Sequence, residues 1–211
     1  MHHHLYIRGQ RLMFPGAISP VVHRDSLFDK VKNMWIEALI DKYYGDNAPL
    51  RHILVTHSQS VAAMAVDVVR RHPELHADET FVREAAMLHD IGIFKTNAPG
   101  IQCFGSAPYI CHGLLGGELL RAEGLPRHAR VAERHTGTGL TREVIERQQL
   151  PLPLQDFSPE SVEEEIVCYA DKFFSKTHLE RTRTPEQVLL SLEKFGPEGV
   201  NKMRQWMLRF A

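Results

Sequence analysis

Apolar residues recur at helical spacing through most of this chain, and this periodicity limits the fold more than any other feature. Leu27, Val31 and Trp35 follow it in one segment, and Val61 and Met64 follow it in another. Glycine and proline residues separate each such segment from the next. No alternating pattern long enough for a convincing strand is present in the sequence. The sequence therefore predicts an all-α fold, a helical bundle in a single domain.

Start and stop signals place the helices along the chain. Ser158 and Thr184 each precede a proline and acidic residues, which is typical of a helix N-cap followed by proline at the first position. Residues 1–24 are expected to form an irregular arm and residues 25–211 the helical domain, with its metal-site core at about 50–176 and C-terminal helices at 184–210. The predicted helices cover about 26–44, 50–71, 78–90, 112–123, 126–135 and 158–176, one or two turns near 141–148, and two helices after Thr184.

Charge and cysteine content narrow the functional class. Lys and Arg number 25 and Asp and Glu 26, a formal net charge of −1, which gives no global attraction to nucleic acid or to an anionic membrane. No apolar stretch approaches the ~20 residues of a membrane span, and no signal peptide is recognised. The three cysteines lack a CxxC spacing, so reduced thiols are expected. These features predict a cytoplasmic protein that binds neither nucleic acid nor membranes.

Histidine is abundant, and four histidines fall with two aspartates at positions that suit a metal site. His89-Asp90 follows an apolar run and precedes Gly92. Adjacent side chains on a helix point about 100° apart, but they converge if the helix ends at this glycine. Asp171 lies mid-helix among apolar neighbours, where a buried carboxylate is costly unless it is paired or bound to a metal. The candidate ligands are His57, His89, Asp90, His112, His135 and Asp171.

Four imidazoles and two carboxylates exceed what a single metal ion needs and suit two ions with a bridging carboxylate. Mixed nitrogen and oxygen ligands favour transition metals over magnesium or calcium. Iron is the first expectation, with manganese or another transition metal as the alternative. Two such ions would supply a bridging hydroxide at neutral pH and Lewis acidity toward a phosphoryl oxygen.

The order His, His-Asp, His, His, Asp resembles the HD-domain superfamily of metal-dependent phosphohydrolases. His89-Asp90-Ile91-Gly92 is similar to the tetrapeptide that names the HDIG subgroup. The histidines in Cys111-His112-Gly113 and Arg134-His135-Thr136 resemble those of the binuclear branch, which includes bacterial HD-type symmetrical diadenosine tetraphosphate hydrolases. The resemblance covers about residues 50–176 and implies an all-helical bundle around the metals.

The resemblance also implies a division of the ligands between two ions. His57, His89, Asp90 and Asp171 would hold one ion, and Asp90, His112 and His135 the other, with Asp90 bridging. The chain departs from the diadenosine tetraphosphate enzymes in two places. The segment between His135 and Asp171 is longer, and Lys-Phe-Phe-Ser-Lys follows Asp171. Both departures leave the substrate open.

Several basic residues near the ligands are candidates for phosphate binding. Lys95, Lys172, Lys176 and Arg134 are assigned to the substrate, with Lys172 and Asp90 as the catalytic pair. Lys172 and Lys176 are four residues apart and would share a helix face. The alternative for each cation is a solvated surface position, which is the expectation for Arg181 and Arg183. Residues 94–111 form either a lid over the metals or a packed connection.

The residues leave three functions open. The first is hydrolysis of a small phosphorylated, nucleotide-like substrate. The second is oxygenation, because some HD-fold proteins that resemble myo-inositol oxygenase hold two irons with the same six ligands. The third is a nucleotide-binding sensor without turnover. The apolar stripe at Leu189, Leu192, Trp206 and Phe210 is expected to be core or the surface of a homodimer.

Overall fold

The computed structural model describes residues 4–7, 10–13 and 27–211, with side chains from Met34 onward, and it confirms the helical architecture. The first residue of the first predicted helix, Ser26, lies outside the described residues. The helices of the described chain are α1 (Leu27–Tyr44), α2 (Ala48–Arg71), α3 (Glu79–Leu88), α4 (His112–Ala122), α5 (Pro126–Arg134), α6 (Arg142–Arg147), α7 (Val162–Asp171), α8 (Pro185–Leu192) and α9 (Pro197–Phe210).

Five short strands accompany the helices. In the segment predicted to be an irregular arm, β1 (His4–Ile7) and β2 (Gln10–Met13) pair as an antiparallel hairpin. The remaining residues of the 1–24 arm lie outside the described chain. Between α3 and α4, β3 (Thr96–Ala98) pairs antiparallel with β4 (Cys103–Phe104) and parallel with β5 (Ala107–Pro108). The segment predicted as a loop is therefore ordered by a small sheet.

The start of α7 differs from the prediction, which placed the N-cap at Ser158. Ser161 is the N-cap: its side chain accepts a hydrogen bond from the Glu164 amide at 3.2 Å, and the Glu164 carboxylate accepts from the Ser161 amide at 3.4 Å. This capping box satisfies two amides that the first turn leaves unpaired. The Ser158 carbonyl instead accepts a hydrogen bond from Arg134. The prediction of Thr184 as an N-cap is confirmed by its capping box with Gln187.

The end of α7 also differs from the prediction, which extended the helix to Lys176. The helix ends at Asp171, where Phe173 and Phe174 donate to the carbonyls of Ala170 and Asp171 three residues back. Phe174 then forms a β-bridge with Thr182, which turns the chain away from the helix axis. Asp171 is thus a terminal helix residue and not a mid-helix one.

Helix α2 connects two buried apolar clusters. Its Val61 and Val68 pack with α3, α7 and α9 in one cluster, and its Leu54 packs with α1 and α4 in the other. Burial of each such large side chain contributes roughly 1.5–3 kcal/mol to stability. In the C-terminal stripe, Trp206 and Phe210 belong to the first cluster, so these two positions are core. The candidate ligands lie where α2, α3, α4, α5 and α7 meet.

Within the described residues, no helix combines the length and the apolar composition that crossing a bilayer requires. All three cysteines are buried and free.

Candidate metal centre

The convergence of His89 and Asp90 results from the end of α3. The helix stops at Leu88, and the Ile91 amide then donates to the Leu88 carbonyl at 3.1 Å in a tighter turn. His89 Nε2 and Asp90 Oδ2 consequently lie 3.0 Å apart, although the residues are adjacent in sequence. The predicted convergence is therefore present, but Gly92 is not the left-handed stop proposed for it, since its φ is −86°.

Gly92 instead allows α4 to approach the turn that follows α3 closely. A Cβ at Gly92 would overlap the His112 carbonyl oxygen and the Gly116 amide, and would lie 2.8 Å from the Gly116 Cα. Because these contacts are with backbone atoms, no side-chain rotation could relieve them. The absence of a side chain at this position brings His112, the first residue of α4, beside Asp90.

The remaining candidate ligands lie on separate helices. His57 lies within α2, Asp171 is the last residue of α7, and His135 caps the C-terminus of α5. Their sequence separation is large: His57 Nε2 and Asp171 Oδ1 lie 3.0 Å apart across 114 residues. Helix packing, and not local sequence, assembles the site.

The six side chains form two groups that share Asp90. Asp90 Oδ2 lies 3.2 Å from His57 Nε2 and 3.0 Å from His89 Nε2, and Asp171 Oδ1 completes this group. Asp90 Oδ1 lies 3.4 Å from both His112 Nε2 and His135 Nε2. Within each group, the potential ligand atoms all lie within 4.8 Å of one another. These are the two sets that the resemblance implied.

Three of the imidazoles have a defined orientation. The Nδ1 atoms of His89, His112 and His135 lie 2.6, 2.7 and 2.7 Å from backbone carbonyl oxygens three residues earlier. Because a carbonyl only accepts hydrogen bonds, each Nδ1 carries the proton and donates it. Each Nε2 then presents a lone pair to the cluster in the neutral ring, which is the arrangement that metal-binding histidines use.

Burial and neighbouring charges shift the pKa values in this cluster. Burial, together with the neighbouring His135, lowers the pKa of His112 to about 3, so its imidazole is neutral. Burial alone would raise the pKa of Asp90, but His89 and Lys176 outweigh it and hold this pKa well below its usual range. Burial would likewise lower the pKa of His89, but Asp90 and Asp171 raise it to about 9.

The residues fit a metal site. His89 Nε2 and both Asp90 oxygens are buried, and within the described chain none of them makes a hydrogen bond of normal geometry despite the short distances between them. Unsatisfied buried polar atoms are costly, and here they converge on shared points. Two anionic carboxylates and four imidazoles form a donor set suited to transition metals.

Two lysines reach the cluster from the segment that follows α7. Lys172 Nζ lies 2.6 Å from Asp171 Oδ2 and donates to the His135 carbonyl at 2.8 Å. Lys176 Nζ lies 2.5 Å from Asp90 Oδ2. The sequence analysis placed both lysines on one face of a helix, but the helix ends before them. They reach the site because the turn after Asp171 returns the chain toward it.

The other two predicted substrate residues have different surroundings. Arg134 donates to the Ser158 carbonyl and pairs with Glu160 Oε1 at 2.8 Å. Lys95 Nζ lies 6.0 Å from the centre of the Phe94 ring. Neither residue is among those that line the cavity beside the ligands.

A cavity of about 570 Å³ opens beside the ligand cluster. Part of the segment predicted as a lid forms one wall, including Ile101 and Tyr109, and the Tyr109 ring stacks on His112 with a centroid distance of 4.7 Å. Arg183 and Lys194 also line this cavity. The sequence predicted a solvated connection for Arg183, and Lys194 was not among the predicted site residues. No local sequence signal distinguishes these cations from those at the surface.

Known proteins resemble parts of this chain. The tRNA (cytidine(56)-2'-O)-methyltransferases of Picrophilus torridus and Thermoplasma volcanium are 36% and 35% identical over 124 and 123 residues. Each match covers 58% of this chain, but the chain spans only 32% of the length of either relative. The uncharacterised protein MJ0778 of Methanocaldococcus jannaschii is 35% identical over 127 residues, which are 59% of this chain and 68% of that protein.

Two solved structures of the L. monocytogenes phosphodiesterase PgpH HD domain, one in complex with cyclic-di-AMP, are 17% identical in sequence. They cover 81% of this chain, with 95% and 93% of their own lengths aligned and TM-scores of 0.48 and 0.49. The HD domain family model matches residues 54–175, which is more than half of the chain and includes all six candidate ligands. The chain therefore belongs to the HD domain family.

Proposed function

We propose that this protein is a metal-dependent phosphohydrolase that cleaves a phosphate ester or anhydride of a small, nucleotide-like molecule. The observation that carries this proposal is the position of Asp90 between two ligand groups. One carboxylate oxygen faces His57 and His89, and the other faces His112 and His135. A carboxylate in this position would bridge two divalent ions, iron or manganese by preference. Such ions supply Lewis acidity and a nucleophilic hydroxide at neutral pH.

The protein's own groups would prepare the site for this reaction. The hydrogen bonds from Nδ1 of His89, His112 and His135 hold their Nε2 atoms toward the cluster before any ligand binds. Asp90 is fully buried, so its charge acts in surroundings with little water to screen it. A rigid arrangement of this kind requires little reorganisation during the reaction.

Lys172 and Lys176 would bind the phosphoryl group. Lys172 Nζ is held by the His135 carbonyl at 2.8 Å, and both lysines line the cavity. Their ammonium groups would neutralise the negative charge that builds on phosphoryl oxygens during cleavage. Lys95 and Arg134 are left out of the proposed site because their partners lie elsewhere.

The cavity supports a small substrate and not a nucleic acid. Its volume of about 570 Å³ is in the range typical of sites for small molecules, and the net charge of −1 provides no general attraction to a polyanion. The activity in the names of the tRNA methyltransferases is not proposed for this chain, which spans only 32% of their length.

The test is phosphate release by protein reconstituted with iron or manganese, with metal content measured on the same samples. We expect His57→Ala and Asp90→Ala to lower the bound metal and to reduce turnover by at least about a hundredfold. His52→Ala is the matched control, because His52 is exposed on the same helix as His57. The control should keep both metal and turnover. Full activity in the Asp90 variant would disprove the mechanism.

The two alternative functions give different results in the same preparation. An oxygenase would consume oxygen in the presence of substrate without releasing phosphate. A sensor would bind a nucleotide tightly and form no product. A panel of mononucleotides, dinucleoside polyphosphates and a tRNA transcript tests the substrate class, and cleavage of the transcript alone would contradict the proposal of a small substrate.

A further inference from the structure

Arg183 and Lys194 are two cations that line the cavity. Within the described chain, neither of them has a carboxylate oxygen within the 4.0 Å that defines an ion pair. Lys172 and Lys176, which line the same cavity, each pair with an aspartate of the candidate ligand cluster. Arg183 and Lys194 therefore add positive charge to the cavity that no carboxylate of the described residues compensates.

Arg183 is held in place by backbone contacts. Its amide donates to the Phe173 carbonyl at 2.7 Å, and its guanidinium donates to the Lys172 carbonyl at 3.2 Å. The second bond uses one of the five N–H donors of the guanidinium, so most of them are free to bind a ligand. An oriented guanidinium with free donors is well suited to phosphate oxygens.

Lys194 and an aromatic ring form the neighbouring wall. Lys194 Nζ lies 5.0 Å from the centre of the Phe195 ring. That ring packs against Gly137, where a Cβ would lie 3.3 Å from the ring and where φ is +63°. Gly137 follows the ligand His135 by two residues, so this wall adjoins the metal centre. With Tyr109 and Phe174, the cavity offers aromatic surfaces on which a nucleobase could stack.

The charges of the cavity favour a substrate with more than one anionic group. Its lining residues include four cations, Lys172, Lys176, Arg183 and Lys194, and one carboxylate, that of Asp171. The two lysines adjoin the metal ligands, where the scissile phosphoryl group would bind. Arg183 and Lys194 lie beyond residue 175, where the match to the family model ends.

We propose that Arg183 and Lys194 form a second anion subsite, and that the substrate is a nucleotide with two separate phosphate groups. This inference rests on the proposed phosphohydrolase function. One phosphate would bind at the metal centre to be cleaved, and the other would bind to Arg183 and Lys194 and position the substrate without reacting.

The experiment compares adenosine 5′-monophosphate with adenosine 3′,5′-bisphosphate. Binding is measured by calorimetry in EDTA at low salt, and kcat/KM is measured by phosphate release from metal-loaded protein. We expect the wild type to prefer the bisphosphate by at least about tenfold in affinity, as expected for added charge-assisted hydrogen bonds. The double variant Arg183→Gln/Lys194→Gln should reduce this preference to within about twofold, because it weakens binding of the bisphosphate more than binding of the monophosphate.

Arg181→Gln is the matched control. Arg181 lies two residues before Arg183, is exposed and pairs with Glu180. It should keep the wild-type preference. The single variant Lys194→Gln controls for a folding defect in the double variant, because it leaves the backbone contacts of Arg183 intact. It should lower the preference for the bisphosphate by itself.

The two proposals fail in different ways. A wild type without preference for the bisphosphate, or a preference that survives in the double variant, overturns the subsite. A preference in EDTA that depends on Arg183 and Lys194, without phosphate release from any probe, supports the subsite and contradicts the hydrolase.

Discussion

Substitution of Gly92 by alanine tests how the second ligand group is built. A Cβ at this position would overlap the His112 carbonyl oxygen and the Gly116 amide, and these are backbone atoms that cannot rotate away. Relief requires α4 to move away from the turn that contains Gly92. Because His112 is the first residue of α4, this movement would also carry the His112 ring away from Asp90.

The expected loss of stability is about 3 kcal/mol, the upper part of the usual range for overpacking. For a chain of this size, that loss lowers Tm by roughly 6–12 °C. Chemical denaturation of metal-free protein measures the free energy of unfolding, and calorimetry measures Tm. Metal titration should show a weakened second ion in the same variant, since Asp90 Oδ1 would lose the ring now 3.4 Å from it.

Two further glycines provide a graded control. A Cβ at Gly100 would meet no atom within 4 Å, so Gly100→Ala should be neutral or should stabilise by up to about 1 kcal/mol. A Cβ at Gly116 would lie 3.1 Å from the Gly92 amide, which predicts an intermediate loss. If the free energy of unfolding of Gly92→Ala lies within about 0.5 kcal/mol of the wild-type value, the close packing of α4 on the turn at Gly92 does not build the site and the reasoning is refuted.

Two other predictions follow from single contacts. Ser161→Ala should lower the free energy of unfolding by about 1 kcal/mol through loss of the capping box, whereas Ser158→Ala should leave it nearly unchanged, both measured by urea denaturation. A larger loss for Ser158→Ala than for Ser161→Ala would support Ser158 as the N-cap. Lys176→Gln should destabilise metal-free protein by about 3–5 kcal/mol, because the fully buried Asp90 loses its ammonium partner, and added metal should recover most of this loss in thermal unfolding. Equal Tm losses with and without metal would contradict that pairing.

Local sequence signals predicted most of the helices. The apolar spacing located α1 and α2, and Thr184-Pro185 located the start of α8. These features act within a few residues, through hydrogen bonds to the first turn and through burial of one helix face. The Ser161 capping box was also present in the sequence, as serine followed three residues later by Glu164, and it was overlooked in favour of Ser158-Pro159.

The candidate ligands were also accessible from sequence, although their geometry was not. Four histidines and two aspartates in a fixed order resemble a known family, and the structure brings all six together. The structural roles predicted for some individual residues were wrong. Gly92 permits a close helix contact and does not stop α3, and Lys172 and Lys176 reach the site from a turn and not from a helix face.

The residue types and their spacing along the chain therefore specified the helical class and the candidate ligands, because caps, apolar spacing and residue type are properties of neighbouring residues. The packing of distant helices decided which atoms meet. His57 and Asp171 are separated by 114 residues and come within 3.0 Å, and Arg183 joins a cavity that nothing in its immediate sequence indicates. Contacts of this kind depend on the burial of surfaces shared by α2, α3 and α7, and they exist only once those surfaces have packed.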